Sequence, residues 1–313
     1  MKYVLKKTFT LIITLFIVSF LAFWAFSVIP GDPTSRLLGT EATPQAVAAL
    51  RQQLGLDAPF LQRYANWLLD FLKGDFGTSY IYSMPVSQML ADKLPVTGAL
   101  ILLSFLITLI FSIPLGILAG SLRTAWGDRL CVTIDQLVMA VPAFFIGVLV
   151  NFLFGLTLRW FVPGKFVAFS SSPAGFFHYL LYPAFSIAVP RIAMTVKMLR
   201  GSIHSELSCD YVRTAVSRGN RRSSILARHV LRNALIPVIT FLAVSMAEIV
   251  TGSIIIEQVF TVPGIGRLLL ASINNRDFPV VQTIVVLMAV WIVLVNFAAD
   301  LINQMVDPRL RLN

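Results

Sequence analysis

Long apolar stretches without Asp, Glu, Lys or Arg alternate with charged segments along this chain. Each stretch is long enough to cross the hydrocarbon core of a bilayer, which takes about 20 apolar residues in a helix. They cover residues 8–31, 94–122, 136–158, 166–190 and 278–299. A further apolar stretch is interrupted only by Glu248. The pattern predicts an all-α membrane protein with six transmembrane helices, at 8–29, 97–120, 132–157, 179–198, 235–256 and 279–302.

The segment 30–95, between the first two predicted spans, has the pattern of folded helices. Thr43 before Pro44 is typical of a helix N-terminus, and Gly55 is typical of a helix end. A second helix is predicted at 59–74, with an apolar face formed by Phe60, Tyr64, Trp67, Leu68, Phe71 and Leu72. We expect this face to pack on lipid or on the spans as a structural cap. Docking of an extracytoplasmic partner is the second interpretation.

The composition supports the membrane interpretation. Of 313 residues, 57% are hydrophobic and only 13% are charged, whereas about a quarter of the residues in soluble domains are charged. The net charge of +10 does not indicate a nucleic-acid partner, because that needs a basic face on a soluble domain. Cys131 and Cys209 lack CxxC spacing, so neither a disulfide framework nor a structural zinc site is indicated.

Basic residues predict the topology. Lys2, Lys6 and Lys7 precede an apolar run that is too long for a secretory signal, so we interpret it as a retained signal-anchor helix. Cytoplasmic N- and C-termini place most of the Lys and Arg residues inside the cell. The predicted organisation is an N-terminal helix (1–29), an extracytoplasmic helical segment (30–95), a transmembrane core (96–302) with a cytoplasmic loop (200–234), and a cytoplasmic tail (303–313).

The cytoplasmic segment 210–240 carries six arginines around a glycine. Helices are predicted at 210–217 and 223–234, with Gly219 and Asn220 as the turn that tolerates positive φ. Tyr211, Thr214 and Ala215 are expected on one face of the first helix. Small residues are typical of close docking to a soluble partner, whereas a lipid-surface helix needs large apolar residues. The alternative is that the arginines only set the topology.

Catalysis is poorly supported by the sequence. It contains no GxxxxGK[ST] phosphate loop, no HExxH zinc pair and no GxSxG elbow. The acidic residues near span interiors lie on three different predicted helices: Asp135, Glu248 and Asp300. These observations favour a part of a transporter or channel over an enzyme.

Glu248 is the candidate residue for a translocation path, because an ionisable side chain in a span normally faces the bundle interior or water. The alternative is a hydrogen bond to a neighbouring helix, for example to Asn296 or Gln282. Met246 beside it, and His178 at the outer edge, could also touch a metal ion, but both are more typical of packing residues. The sequence leaves the identity of any metal ligand open.

Several motifs together resemble one family. DYVRTA at 210–215, Gly219 and HVLRNALIP at 229–237 resemble the cytoplasmic EAA-type loop of ABC importer permeases of the dipeptide, oligopeptide and nickel group. Matching motifs extend across the whole chain: PGDP at 30–33, GDFG at 74–77, Gly252, Glu257, Phe260, PGIGRL at 263–268, RDFPV at 276–280 and DPR at 307–309. One departure is that Arg213 and Thr214 replace the Glu-Ala that gives the motif its name.

The resemblance implies a type I ABC importer permease in the cytoplasmic (inner) membrane of a bacterium. Its implied partners are a second homologous permease, two cytoplasmic ATPase subunits, an extracytoplasmic solute-binding protein and the bilayer. This chain would bind no cofactor, and ATP and Mg would be held by the partner ATPases. The implied ATPase-coupling residues are Asp210, Tyr211, Arg213, Thr214, Ala215, Gly219 and Arg222.

The resemblance leaves the solute open between nickel or a metal chelate and di- or oligopeptides. The segment 247–257 and the short outer loop at 159–178 are more similar to nickel-type permeases, and this favours nickel. Candidates for the path are Glu248, Met246 and Asn296. A self-sufficient channel or secondary transporter is the alternative function, but the expected internal repeat or broken helices with paired polar sites are not evident in the sequence.

Overall fold

The computed structural model describes residues 2–28, 43–53, 57–122 and 124–306, and most of these residues are helical, with no β-strand among them. The helices are α1 (Lys2–Val28), α2 (Pro44–Gln53), α3 (Phe60–Leu72), α4 (Val86–Ala91), α5 (Leu94–Ser121), α6 (Ala125–Ala140), α7 (Ala143–Val150), α8 (Pro173–Leu207), α9 (Asp210–Ser217), α10 (Arg222–Ile225), α11 (Leu231–Val259), α12 (Ile265–Asn275) and α13 (Phe278–Val306). π-Helical turns extend α7 over Asn151–Thr157 and join α10 to α11 over Leu226–Val230.

Among the described residues, five helical segments are long and apolar enough to cross a membrane: Lys6–Val28, Val86–Ser121, Pro173–Leu207, Arg222–Val259 and Phe278–Gln304. The sixth is a bent pair, because Ala125–Ala140 and Ala143–Thr157 meet at an angle of 91°. The count of six holds if this pair is one span. The prediction of a single helix at 132–157 is wrong, because Val141 is extended before Pro142, where proline disfavours helical backbone.

Prolines elsewhere do not end the spans. Pro183 and Pro190 lie inside α8, which is one helix of 35 residues and therefore longer than the predicted span at 179–198. Such a helix is about 52 Å long, whereas the hydrocarbon core is about 30 Å thick. Helix α8 therefore continues well beyond the apolar layer.

One compact unit comprises Met1–Thr97 and Pro263–Leu294. Within it, the aromatic side chains of α3 pack on those of α1: the ring of Tyr64 lies 5.2 Å from that of Phe20, and its hydroxyl lies 2.9 Å from the Ser19 hydroxyl. This confirms that the apolar face of the second outer helix packs on a span. The predicted N-cap at Thr43 is also confirmed, since its hydroxyl accepts the Ala46 N–H at 3.3 Å. Gly55 lies outside the described residues.

A buried carboxylate fixes the loop that follows α3 in this unit. Asp277, which is fully buried, accepts the Ser79 hydroxyl at 2.5 Å and the Tyr80 backbone N–H at 3.0 Å. Burial raises the pKa of the Tyr80 phenol, and the nearby Asp277 carboxylate adds to that rise. The loop is therefore held against the start of α13 by charge-assisted hydrogen bonds.

The second compact unit comprises Gly98–Val262 and Val295–Asn313. Helix α8 is its most buried element and contacts α6, α7 and α11. Two glycines, Gly116 and Gly120, let α5 approach Leu199 and Ile203 of α8 closely. Leu199 and Ile203 are fully buried and belong to an apolar cluster that also includes residues of the segment 210–234.

Candidate functional site

The segment after α8 forms a short helical hairpin, as predicted. Helix α9 spans Asp210–Ser217, and Gly219 follows it with φ of +74°. The Gly219 N–H donates to Val216 O at 2.9 Å, and the Asn220 N–H donates to Ala215 O at 3.3 Å. This pair of bonds is the Schellman arrangement that ends a helix at a left-handed residue. Gly219 is thus the residue that reverses the chain.

The interior of the hairpin is apolar and continuous with the long helices beneath it. Val212 and Ala215 of α9 are buried together with Ile225, Val230 and Ala234, and this cluster extends to Leu199, Ile203, Val238 and Leu242. The prediction that Ala215 shares an exposed face with Tyr211 and Thr214 is therefore wrong. Ala215 is 8% exposed, and its small side chain lets α9 pack closely.

The rim of the hairpin is exposed and cationic. Arg213, Thr214, Gly219 and Arg222 are all exposed, and Arg213 forms a surface ion pair with Asp210 at 3.3 Å. Such an exposed pair contributes little stability. The rim therefore offers small and basic residues on a backbone that its apolar interior holds in place.

A polar contact joins the three helices at the base of the hairpin. The Tyr211 hydroxyl donates to Glu206 Oε2 at 2.5 Å, and the Asn233 amide donates to the same oxygen at 3.3 Å. Burial raises the pKa of Tyr211 to about 12, and the hydrogen bond to Glu206 contributes to the rise. Tyr211 therefore has a structural contact as well as its predicted role in docking.

The second half of the hairpin is continuous with a span. The predicted helix at 223–234 is not a separate element, because α10 continues through the π-helical turn into α11. Arg222–Val259 is therefore one helical segment that is long and apolar enough to cross a membrane. The hairpin is thus mounted on the extended ends of two long helices, α8 and α11.

Glu248, the candidate path residue, forms an ion pair with Arg191 of α8. The expected hydrogen bond to a neighbouring helix is therefore present, but its partner is Arg191 and not Asn296 or Gln282. The Glu248 side chain is 50% exposed and that of Arg191 is 21% exposed. Two charged residues from the central helices α8 and α11 therefore meet within the second unit, partly open to its surface.

The other predicted path and edge residues are less distinctive. Met246 is half-buried and Asn296 is exposed, and neither has a described contact with Glu248. The His178 ring lies 3.3 Å from the Tyr182 hydroxyl. Among the described residues, no group of three or more His, Cys, Asp or Glu side chains is arranged to hold a metal ion.

A second ion pair, between Asp128 of α6 and Arg200 of α8, was not predicted. The sequence analysis did not identify Arg191, which directly follows the uncharged run at 166–190. The available signal was the uninterrupted helical composition on both sides of Pro190. Glu248 and Asp128 are each expected to pair with a basic side chain. The sequence alone does not identify the arginine that pairs with each.

Comparison with known proteins agrees with these features. Residues 112–312 match the family described as binding-protein-dependent transport system inner membrane component, and residues 1–101 match the N-terminal region of such membrane components. A putative peptide transport system permease protein of Brucella abortus is 37% identical over 98% of both chains. The glutathione transport system permease protein GsiC of Salmonella typhimurium is 35% identical over 99% of both.

A solved structure supports the fold. A chain from inward-facing structures of the MetNI methionine ABC transporter superposes with a TM-score of 0.59 and 18% identity, covering 70% of this chain and 97% of that one. The likeness covers the helical architecture described above. The chain therefore belongs to the family of binding-protein-dependent transport system inner membrane components, as a multi-pass inner-membrane permease subunit of an ABC importer with the type I fold.

Proposed function

We propose that this chain forms one half of the translocation path of an ATP-driven importer of short peptides. The observation that carries the proposal is 37% identity over 98% of the chain to a permease named for peptide transport. A permease named for glutathione, itself a small peptide, is similar over the same length. The proposed partners are a second permease, two ATPase subunits and an extracytoplasmic binding protein.

The charge on Glu248 does not favour nickel as the solute. An isolated carboxylate at membrane depth would favour cations, but Glu248 is paired with Arg191. The pair has no net charge. Nickel or a metal chelate is therefore the second candidate, carried only by the resemblance at 247–257 and in the short loop at 159–178.

We propose that the hairpin formed by α9 and α10 docks on a partner ATPase, where ATP and Mg would be bound. Its apolar interior is continuous with α8 and α11. A displacement of the rim is therefore transmitted to these two long helices through directly packed side chains. Movement of the ATPases would then shift the spans between inward- and outward-facing states. The exposed residues Thr214, Gly219 and Arg222 form the proposed contact, and Ala215 supports it from inside.

Uptake by cells that carry the complete transporter tests the solute class. Cells with the wild-type chain are expected to accumulate labelled dialanine, and cells lacking the chain are not. Labelled nickel serves as the competing substrate. Accumulation of nickel without dialanine would contradict the peptide proposal.

Substitution of Gly219 tests the docking proposal. Gly219→Glu places a negative charge on the cationic rim and is expected to abolish uptake while the chain still inserts in the membrane. The φ of +74° also strains any side chain there, so Gly219→Asn is the matched control, because Asn tolerates this conformation best. Normal uptake with Gly219→Glu, or equal loss with Gly219→Asn, would argue against docking at this rim.

A further inference from the structure

The Arg191–Glu248 ion pair lies far from both ends of the apolar run at 235–256. By the rise of an α-helix, Glu248 is about 20 Å from one end and about 12 Å from the other. It is nevertheless 50% exposed at the surface of this chain. A half-exposed charge at this depth is unfavourable in contact with lipid chains, since ionisable side chains in spans face protein or water-filled cavities.

The described residues leave the face of α11 around Glu248 exposed. Val244, Thr251 and Ile255 are exposed, and they lie four residues before, three residues after and seven residues after Glu248, on the same face of the helix. Gly252, one turn along, has no neighbouring atom within 4 Å of an added Cβ. This stripe combines a carboxylate, a hydroxyl and a glycine, which favours a wet or protein-facing surface over a lipid-facing one.

We propose that Arg191 and Glu248 form a charge-matched contact site for the solute within the path. The inference rests on the proposed peptide function and extends it to the kind of group recognised. The Glu248 carboxylate accepts from a cationic group such as a free amino terminus, and the Arg191 guanidinium donates to a carboxylate, for which its forked geometry is suited. A solute carrying both charges replaces each partner of the ion pair, so neither charge is left uncompensated.

Arg191 is the specificity-determining residue in this proposal. Without it, Glu248 alone would favour cations and disfavour anionic solutes. With it, the site has no net charge but retains a donor fork and an acceptor. The site is thus suited to zwitterions with free termini, and less suited to peptides blocked at both ends.

Thiol labelling of the assembled transporter tests this site. Cys131 and Cys209 are first replaced by alanine, and the chain is reconstituted in vesicles with its partner permease, ATPases and binding protein. Glu248→Cys is expected to react with membrane-impermeant thiosulfonates. The matched control is Ile110→Cys, an apolar position of α5 that is 64% exposed in this chain, and it is expected to react only at background rate.

Charge selectivity identifies the role of Arg191. Glu248→Cys leaves Arg191 unpaired, so an anionic thiosulfonate is expected to react about tenfold faster than a cationic one at low salt. Adding Arg191→Gln is expected to remove this preference. Protection by the solute is measured at Thr251→Cys, one turn from the intact ion pair on the same exposed face. Dialanine supplied during ATP turnover is expected to slow the labelling of this variant several-fold, and dialanine blocked at both termini is not.

The outcomes separate this inference from the proposed function. Background labelling of Glu248→Cys, a charge preference that survives Arg191→Gln, or no protection of Thr251→Cys in a transporter that takes up dialanine each overturns the solute site. Absence of dialanine uptake by the wild-type transporter contradicts the peptide proposal instead. Arg191-dependent labelling in that transporter still supports a charge pair lining the path.

Discussion

Tyr211 is a residue whose titration is coupled to the conformation of the hairpin. Its hydroxyl donates to Glu206 at 2.5 Å, and burial raises its pKa to about 12, whereas an unfolded chain has a tyrosine pKa of about 10. Between these values the folded chain keeps a proton that the unfolded chain releases. The free energy of unfolding therefore falls as pH rises through this window.

Tyr211→Phe removes this titration and is expected to make the loss of stability at alkaline pH less steep. The measurement is the thermal midpoint of the purified chain in detergent between about pH 9 and pH 12, a range that brackets the tyrosine titration. Tyr82→Phe, at a half-exposed tyrosine, is the matched control and should follow the wild-type curve. Identical curves for Tyr211→Phe and wild type would show that the contact with Glu206 is not formed in solution.

Ala215 and Ser217 distinguish the inner and outer sides of the same helix. Ala215 is buried against the long helices and Ser217 is exposed. Ala215→Leu overpacks the cluster and is expected to cost about 1–3 kcal/mol of stability. Ser217→Leu adds the same side chain on the outside and should change stability little.

Thermal unfolding in detergent measures both Ala215→Leu and Ser217→Leu. Equal stability of the two variants would contradict the inward orientation of Ala215. If the hairpin docks as proposed, Ser217→Leu should instead lower co-purification of the ATPase subunits. The two variants thus separate support of the hairpin from contact with a partner.

Local sequence patterns predicted some of these conformations and contacts and missed others. Gly219 was recognisable because only a few residue types tolerate its positive φ. The inward orientation of Ala215 was not recognisable, because small residues are equally typical of a docking face and of a tightly packed helix pair. The contact between Arg191 and Glu248 joins residues 57 positions apart, and no local pattern encodes such a pairing.

At the scale of elements, the packing of α5 on α8 depends on two glycines. A Cβ at Gly116 would lie 2.7 Å from Leu199 Cδ2 and 3.0 Å from its Cβ, and one at Gly120 would lie 2.8 Å from Ile203 Cδ1. Small residues of this kind let helices in membranes approach closely. If either glycine gains a side chain, the facing side chain of Leu199 or Ile203 must shift or the two helices must separate.

Gly116→Ala and Gly120→Ala are therefore expected to destabilise the chain despite the better helix propensity of alanine. Gly98→Ala is the matched control in α5, because nothing lies within 4 Å of its added Cβ. That variant should be neutral or more stable, by up to about 1 kcal/mol. Thermal midpoints of the three variants in detergent test the difference, and a common sign for all three would contradict the close approach.

The elements themselves were largely predictable from apolar runs and helix-end signals. Helix α9 has the predicted bounds, and the spans fall on the uncharged stretches. The break before Pro142 was missed because the run at 136–158 stays apolar through it, and hydropathy does not register backbone geometry. Conversely, α8 continues through Pro183 and Pro190, since neighbouring helices can satisfy the backbone groups that proline frees.

For the whole molecule, the functional class followed from motifs spread over the chain, and the nickel preference did not gain support. The family match over residues 112–312 and the relatives of nearly equal length show that the chain is a permease subunit. The class of solute was harder to predict from the sequence, because the net charge at Glu248 depends on which residue pairs with it. The Glu248 carboxylate alone would favour cations, but the Arg191 guanidinium compensates its charge.

The topology gives the final prediction, since the proposed docking requires the hairpin to face the cytosol. Four arginines, Arg213, Arg218, Arg221 and Arg222, lie in the exposed hairpin, whereas the loop before α8 carries Arg159 and Lys165. The positive-inside rule therefore places the hairpin in the cytoplasm and that loop outside.

In a chain with Cys131 and Cys209 replaced by alanine, Ser170→Cys should react with an impermeant thiol reagent on intact cells lacking an outer-membrane barrier. Asn220→Cys is equally exposed in this chain, so it should react only after the inner membrane is opened. Labelling of Asn220→Cys in intact cells would exclude ATPase docking at the hairpin, because ATP-driven partners have access only to the cytoplasmic face.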